Sequence, residues 1–310
     1  MMMIRPFFAG MLVLAASILT CQGSAIAQDR GTLNPKPLPP LAKPDSPSTP
    51  AKELFGRKPF PARLSPEAIG FYSVGCLAGG VDLPIDGDNW QVMRLSRNRN
   101  WGHPHLVAFL EKLASNVPRI NGWPGLLVGD MSQPRGGPMI TGHASHQVGL
   151  DADIWLTPMP NRTLTRAERE NTSATNVVRG DRLDIDPRIW SEGHHRLIRA
   201  VAEQREVQRI FVNPAIKRAL CREAGGDRSW LNKVRPTWGH NYHFHIRLKC
   251  PPGSPSCKPQ DPVPAGDGCG EQLDYWFTPA MLNPKKGGKP RPPMTMDKLP
   301  PACRAVLNAP

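Results

Sequence analysis

Gly142-His143-Ala144-Ser145-His146-Gln147-Val148-Gly149-Leu150-Asp151-Ala152-Asp153-Ile154-Trp155 is the stretch on which the reading of this chain turns. From Asp151 onward it alternates. Asp151, Asp153 and Trp155 fall on one side of an extended chain, and Ala152, Ile154 and Leu156 on the other. A second stretch, Trp238-Gly239-His240-Asn241-Tyr242-His243-Phe244-His245-Ile246-Arg247-Leu248, behaves the same way. There His243, His245 and Arg247 share one side, and Phe244, Ile246 and Leu248 the opposite one. Each segment reads as a strand with an apolar side for a core and a polar side for a cleft. Paired antiparallel, the two strands bring Asp153 and His245 together across the sheet. His146 reaches the same point from the loop before its strand, with Gly149 letting the chain turn.

The two segments hold five of the chain's nine histidines and two carboxylates. Imidazole nitrogens and carboxylate oxygens are the ligands of a catalytic zinc ion, Zn2+, which keeps one coordination position open for water. A lone histidine is ordinarily a surface residue or a satisfied core residue. His103, His105, His194 and His195 sit near helix starts and read as ordinary surface residues without chemistry. Ser145 lies beside a candidate ligand, but the chain lacks a G-x-S-x-G elbow, so a serine nucleophile is not indicated.

Outward from the two strands the pattern is mixed. His105 to Val117 has helical spacing at Leu106, Val107, Phe109, Leu110 and Leu113. Leu126 to Gly129 and Ile210 to Val212 read as short strands. His195 to Val207 reads as an amphipathic helix, and Pro214 opens another that ends near Gly225 and Gly226. The expected class is α+β: a single domain with a central antiparallel sheet carrying the zinc site, flanked by helices and long disulfide-tied loops.

The ends read differently. Arg5, the apolar run Met11 to Leu19, and Ala25-Ile26-Ala27 before Gln28 read as a secretory signal peptide over residues 1–27. Thr20 before Cys21 argues against a lipoprotein, where a small residue is expected. No later stretch is apolar and long enough to span a bilayer, so no stable membrane insertion is expected. Residues 28–66 read as a Pro-rich linker, residues 67–310 as the catalytic domain, and about 279–301 within it as a Pro/Lys/Gly-rich tail. Removal of the first segment leaves Cys76, Cys221, Cys250, Cys257, Cys269 and Cys303. Six cysteines in an exported chain imply disulfides, and about fifteen pairings are open to them. The formal net charge is +13. In an exported protein this suits anionic cell-wall polymers, and no aromatic-interleaved basic stripe points to nucleic acid.

The spacing of His146 to Asp153 with a distant His-x-His resembles the zinc peptidases grouped with lysostaphin and the D-Ala-D-Ala carboxypeptidases. Further stretches resemble the penicillin-insensitive murein endopeptidases more narrowly: Gly102-His103-Pro104, Gly129-Asp130-Met131, Gly142 to Gln147, Arg209 to Lys217, Lys233-Val234-Arg235-Pro236 and Gly266 to Gly270. The likeness spans about Gly75 to Cys303 and leaves out the N-terminal linker. It implies His146, Asp153 and His245 as zinc ligands, the same three that the strand pattern brings together. It further implies His243 as general base, His143 and His240 beside the site, and His143 as a further ligand. Asp151 shares a strand face with Asp153 and is expected only to line the site. Asp181 and Asp184 are implied as holders of a second cation; two solvated loop aspartates are the plainer reading. The implied disulfides are Cys76–Cys303, Cys221–Cys269 and Cys250–Cys257.

The implied activity is hydrolysis of D-alanyl–meso-diaminopimelyl cross-links of peptidoglycan in the periplasm, insensitive to penicillin. Two alternatives stand beside it: a D-Ala carboxypeptidase of the same zinc group, and a non-catalytic cell-wall-binding protein. Oligomeric state is not legible in the sequence.

Overall fold

The computed structural model describes residues 31–284 and 292–310. The expected signal peptide with Cys21, the first residues of the linker and residues 285–291 of the tail lie outside the described residues. In chain order the strands are β1 (Glu67–Phe71), β2 (Val74–Ala78), β3 (Val81–Asp82), β4 (Asp86–Gly87), β5 (Trp90–Val92), β6 (Trp101–Gly102), β7 (Leu126–Val128), β8 (Asp151–Trp155), β9 (Val207–Val212), β10 (Val234–Pro236) and β11 (His243–Leu248). The helices that frame the sheet and the site are α1 (Ala51–Phe55), α2 (Pro104–Asn121), α3 (Arg166–Asn171), α4 (Glu192–Ala202) and α5 (Pro214–Glu223), and a further helix, Ala302–Asn308, closes the chain.

Seven strands form one sheet in the order β10-β9-β11-β8-β7-β5-β4. Its centre is antiparallel, as expected, but β9–β10 and β5–β7 pair in parallel, so the sheet is mixed. The β8–β11 register sets His245 opposite Asp153, Arg247 opposite Asp151 and His243 opposite Trp155. The apolar side explains why that register holds. Ala152, Ile154, Phe244 and Ile246 are fully buried in one core with Leu106 and Leu110 of α2, Leu197 and Val201 of α4, and Ile216 of α5. Each large apolar side chain contributes about 1.5–3 kcal/mol by burial. A one-residue slip would turn all of them to the cleft side and the site residues to the core.

The helices begin where local chemistry permits. α2 has Pro104 at its first position, where a missing N–H costs nothing, and ends at Gly122 with φ +79°. It outruns the expected 105–117, running on through Pro118 to Asn121. α4 stops at Ala202, short of the expected Val207, because Val207 is taken by β9 opposite Leu248.

His103 and His194 depart from the expectation of ordinary surface residues, since both are buried. The His103 ring caps α2, its Nδ1 accepting from the His105 N–H at 3.1 Å. In His194, Nδ1 lies 2.9 Å from Ser191 Oγ and accepts from the Ser191 N–H at 3.1 Å, while Nε2 donates to the Leu156 carbonyl at 2.9 Å. These rings fasten helix starts to the body.

α1 lies inside residues 28–66, and its Ala51 and Phe55 are fully buried in a second cluster with Ala62, Ile69, Cys76, Cys303 and Val306. A Pro- and Lys-rich composition conceals these anchors. The three disulfides are Cys76–Cys303, Cys221–Cys269 and Cys250–Cys257, and the first ties the C-terminal helix Ala302–Asn308 to β2. Among the described residues no helix is long and apolar enough to cross a membrane.

Candidate metal centre

Asp153 organises the site through its two oxygens. Oδ1 lies 3.4 Å from His146 Nε2 and 3.5 Å from His245 Nδ1. Oδ2 lies 3.5 Å from His143 Nδ1 and 3.7 Å from His243 Nε2. The histidines are thus divided into two pairs, one on each oxygen. His143, His146 and Asp153 bring ligand atoms within 4.8 Å of one another. His245 is outside that group of three, but its Nδ1 faces the same Asp153 oxygen as His146.

The chain reaches this arrangement by unequal means. Asp153 and His245 come from the centre of the sheet, where the ladder fixes them. His146 comes from a loop and has φ +67°, a left-handed conformation that costs a non-glycine residue about 1–2 kcal/mol. Two bonds hold it there: its N–H donates to Asp151 Oδ2 at 3.0 Å, and its carbonyl accepts from Ser132 Oγ at 2.6 Å. Gly149 turns the chain back with φ +71°; an added Cβ would come within 2.8 Å of the His103 nitrogen. The expected turn residue is therefore needed both for its backbone angle and for space.

Asp151 does more than line the site. Oδ1 accepts from His245 Nε2 at 2.9 Å, Oδ2 accepts the His146 N–H, and Arg247 Nε donates to Oδ1 at 2.8 Å. One carboxylate orients two candidate ligands. Because His245 Nε2 carries the donated proton, Nδ1 keeps its lone pair toward Asp153, an arrangement typical of metal-binding histidines. Asp130 does the same for His143. Its Oδ2 accepts from His143 Nε2 at 3.0 Å and from Arg99 at 2.8 Å, and Arg97 adds a bond at 3.1 Å. Sequence reasoning gave Asp130 no role, although it stood in a quoted motif. Its only sequence signal is its place just after β7, beside β8, where its carbonyl accepts the Asp153 N–H at 3.0 Å.

Burial and neighbouring charge set the protonation. Burial opposes ionisation of Asp153, but His243, His146 and His143 outweigh it and hold the carboxyl well below the usual range. Asp151 is likewise held low, Arg247 and His245 overcoming burial. Burial brings His245 down to about 3 and His243 to about 4, so both rings are neutral near pH 7 with lone pairs available. His143 goes the other way: burial lowers it, but Asp153 and Asp130 together raise it. Burial lowers His240, whose Nδ1 donates to the Trp238 carbonyl at 3.0 Å and leaves Nε2 as an acceptor.

The donor set passes a direct test of fit for a metal. Among the described residues, both ring nitrogens of His146, which is fully buried, and Oδ1 of Asp153 have no hydrogen-bond partner. Buried polar atoms are ordinarily satisfied, and a cation supplies what is missing here. A tetrahedral ion with ligand bonds of about 2.0–2.1 Å places its ligand atoms roughly 3.3 Å apart. The spacings of 3.4 and 3.5 Å around Oδ1 match that edge. Asp181 and Asp184 are not brought to this point. Asp181 pairs with Arg179, and Asp184 pairs with Arg222 at 3.0 Å. The expected second-cation carboxylates therefore already have counter-ions.

The cluster opens on a cleft of about 270 Å³ lined by Arg97, Arg99, His143, Asp153, His240 and His243, among others. Two histidines and a carboxylate with open donor atoms, the carboxylate lining the cleft, are the arrangement of a metal-dependent hydrolase. The comparisons narrow that class. A family model described as penicillin-insensitive murein endopeptidase matches residues 68–308. A penicillin-insensitive murein endopeptidase of Haemophilus influenzae is 44% identical over 259 residues, 82% of this chain and 87% of that protein. One from Klebsiella pneumoniae strain 342 is 45% identical over 244 residues, 79% and 87% respectively. One from Escherichia coli strain SE11 is 44% identical over 248 residues, 80% and 88%. The chain belongs to the penicillin-insensitive murein endopeptidase family.

Proposed function

We propose that this chain is a zinc-dependent endopeptidase that hydrolyses D-alanyl–meso-diaminopimelyl cross-links of peptidoglycan in the periplasm. The observation that carries the reading is the orphaned donor set, His146 and Asp153 Oδ1, with His245 Nδ1 facing the same oxygen. His146, Asp153 and His245 would hold the ion. Zinc bound there supplies Lewis acidity toward the scissile carbonyl and the attacking water.

The remaining steps belong to the protein. His243, neutral and buried beside Asp153, would take the water's proton at Nε2 and return it to the leaving amine. Asp151 keeps His245 and the His146 backbone in place, and Asp130 keeps His143 turned toward Asp153. His143 serves as a further ligand or as a donor to the developing oxyanion; metal content of a His143→Ala variant separates the two. Among the described residues no serine or cysteine lines the cleft, so a β-lactam meets no acylatable nucleophile of that kind. The basic surface would concentrate the enzyme on an anionic wall.

The test is chromatography of a cross-linked muropeptide dimer incubated with the protein. Monomer should appear, a zinc chelator should abolish it, and penicillin should leave it unchanged. Release of free D-alanine from an intact dimer would replace this reading with a carboxypeptidase. Absence of any product would leave a wall-binding protein.

A further inference from the structure

On the sheet face that carries the cluster, polar rows continue past the metal donors. His245 on β11 stands opposite Phe211 on β9, and Phe211 stands beside Arg235 on β10. One row along, Arg247 stands opposite Arg209. Arg247 is neutralised by Asp151. The other two are not. Arg209 donates to the backbone carbonyls of Asp261 and Pro262, and its Nε is buried without a partner. The Arg235 side chain makes no hydrogen bond or ion pair with a described residue, and its Nη1 is buried without a partner.

The neighbouring carboxylates do not answer these charges. Asp267 is paired with Arg228 at 2.7 Å. Asp261 lies within electrostatic reach of Arg209, yet its carboxylate forms no ion pair with a described residue. Lys217, fully buried alongside, adds a further basic group and uses its Nζ on the carbonyls of Leu231 and Asp267 at 2.7 and 2.6 Å. Gly268, with φ +68°, closes over Arg235, and an added Cβ there would lie 3.2 Å from Nη1. Half-burying two like charges with no counter-charge is unfavourable. Arg209 is accordingly lowered, by burial first and then by Arg235 and Arg247, and Arg235 is lowered by burial.

We infer that Arg209 and Arg235 form a carboxylate-binding subsite, separated from the metal centre by Phe211, for a free carboxylate of the cross-linked peptide. The identity of the ligand rests on the murein reading; the anion preference rests on the two unanswered guanidiniums. Strands lie about 4.8 Å apart, so the Arg235 backbone is roughly 10 Å from that of His245, two strands away. An extended peptide rises about 3.3 Å per residue, which places the recognised carboxylate some three residues from the scissile amide. The guanidinium fork suits a carboxylate through paired N–H bonds, where a lysine offers a single point charge.

The probe is an uncross-linked stem peptide, which needs no turnover, in two forms: carboxylates free and carboxylates amidated. Calorimetric binding to the zinc-loaded full chain should favour the free form by about tenfold or more, a difference of roughly 1.4 kcal/mol. Arg235→Gln should lose that preference, and Arg235→Lys should recover part of it. Arg209→Gln gives the same reading should Arg235→Gln fail to fold. Equal affinity of the wild type for both forms, or an unchanged preference in the variants, overturns the subsite. Dimer cleavage by the wild type decides the murein reading separately.

Discussion

Two groups of buried histidines stand in this molecule, and comparing them shows what makes a ligand. His103 and His194 are buried and shifted downward by that burial, His103 to about 4. His245 is buried and shifted downward for the same leading reason. Neither burial nor basicity separates the groups. Satisfaction does. His194 spends both nitrogens on Ser191 and the Leu156 carbonyl, and His103 spends Nδ1 on the helix it caps and Nε2 on Ser254 Oγ at 3.4 Å. His146 spends neither nitrogen, and His245 spends Nε2 on Asp151 while Nδ1 faces Asp153. A histidine that closes its own hydrogen bonds is part of the scaffold; one that leaves a nitrogen open beside an open carboxylate oxygen is waiting for a cation.

The largest effect that would sharpen this contrast is expected at His146. His146→Ala should lose nearly all bound zinc by elemental analysis and all detectable dimer cleavage while staying folded, whereas His194→Ala should keep its zinc. Full zinc in the His146 variant would erase the distinction. Next is His243, buried like a scaffold residue but facing Asp153. His243→Ala should retain zinc and lose about a hundred- to ten-thousand-fold in turnover. Near-normal turnover at saturating substrate would pass the base role to His240, whose Nε2 is also an acceptor.

Asp151→Asn tests whether the second carboxylate matters through the ligands it orients. Zinc affinity, read by competition with a graded chelator, should fall about 10- to 100-fold. An unchanged affinity would reduce Asp151 to a partner of Arg247. The smallest effect concerns the scaffold histidines. Their folded-state pKa values lie below the ordinary value near 6.5, so the unfolded chain binds protons first as pH falls. Their stabilising contribution is intact above pH 6.5 and is lost as pH falls through the lowered folded-state values, which for His103 means down to about pH 4. Urea midpoints of the metal-free protein should drop across that window, and less steeply in a His194→Gln variant. A parallel drop in both would exclude His194 as a source.

Much of the site was legible because strand alternation is a local signal. Asp153 and His245 follow from period two and antiparallel pairing, and the core side of the same strands enforces it. The disulfide pairings came through the family resemblance; spacing alone left them open. What escaped the sequence depends on contacts between distant segments. Asp130 acquires its meaning from Arg97 and Arg99 on an earlier turn and from His143 on a later loop. Asp151 looked like a lining residue because nothing in a strand pattern says that both of its oxygens point at ligands. The burial of His103 and His194 reflects helix capping against the body, and Phe55 is buried in a cluster assembled from distant segments, the C-terminal helix among them.

That clip has a consequence in the order of construction. β2, which carries Cys76, leans on the loop of His146: the Gly75 N–H donates to Gln147 Oε1, the Leu77 N–H to the Arg135 carbonyl, and the Gln147 N–H to the Tyr72 carbonyl just before β2. Cys303 lies 227 positions later, past the last strand of the sheet. A chain growing from its N-terminus therefore makes every ligand before it can lock the hairpin that steadies the first of them. The bond acts as a completion seal: it can close only after Cys303 has been made, and only under oxidising conditions. A murein hydrolase built this way would thus reach its fully braced form last.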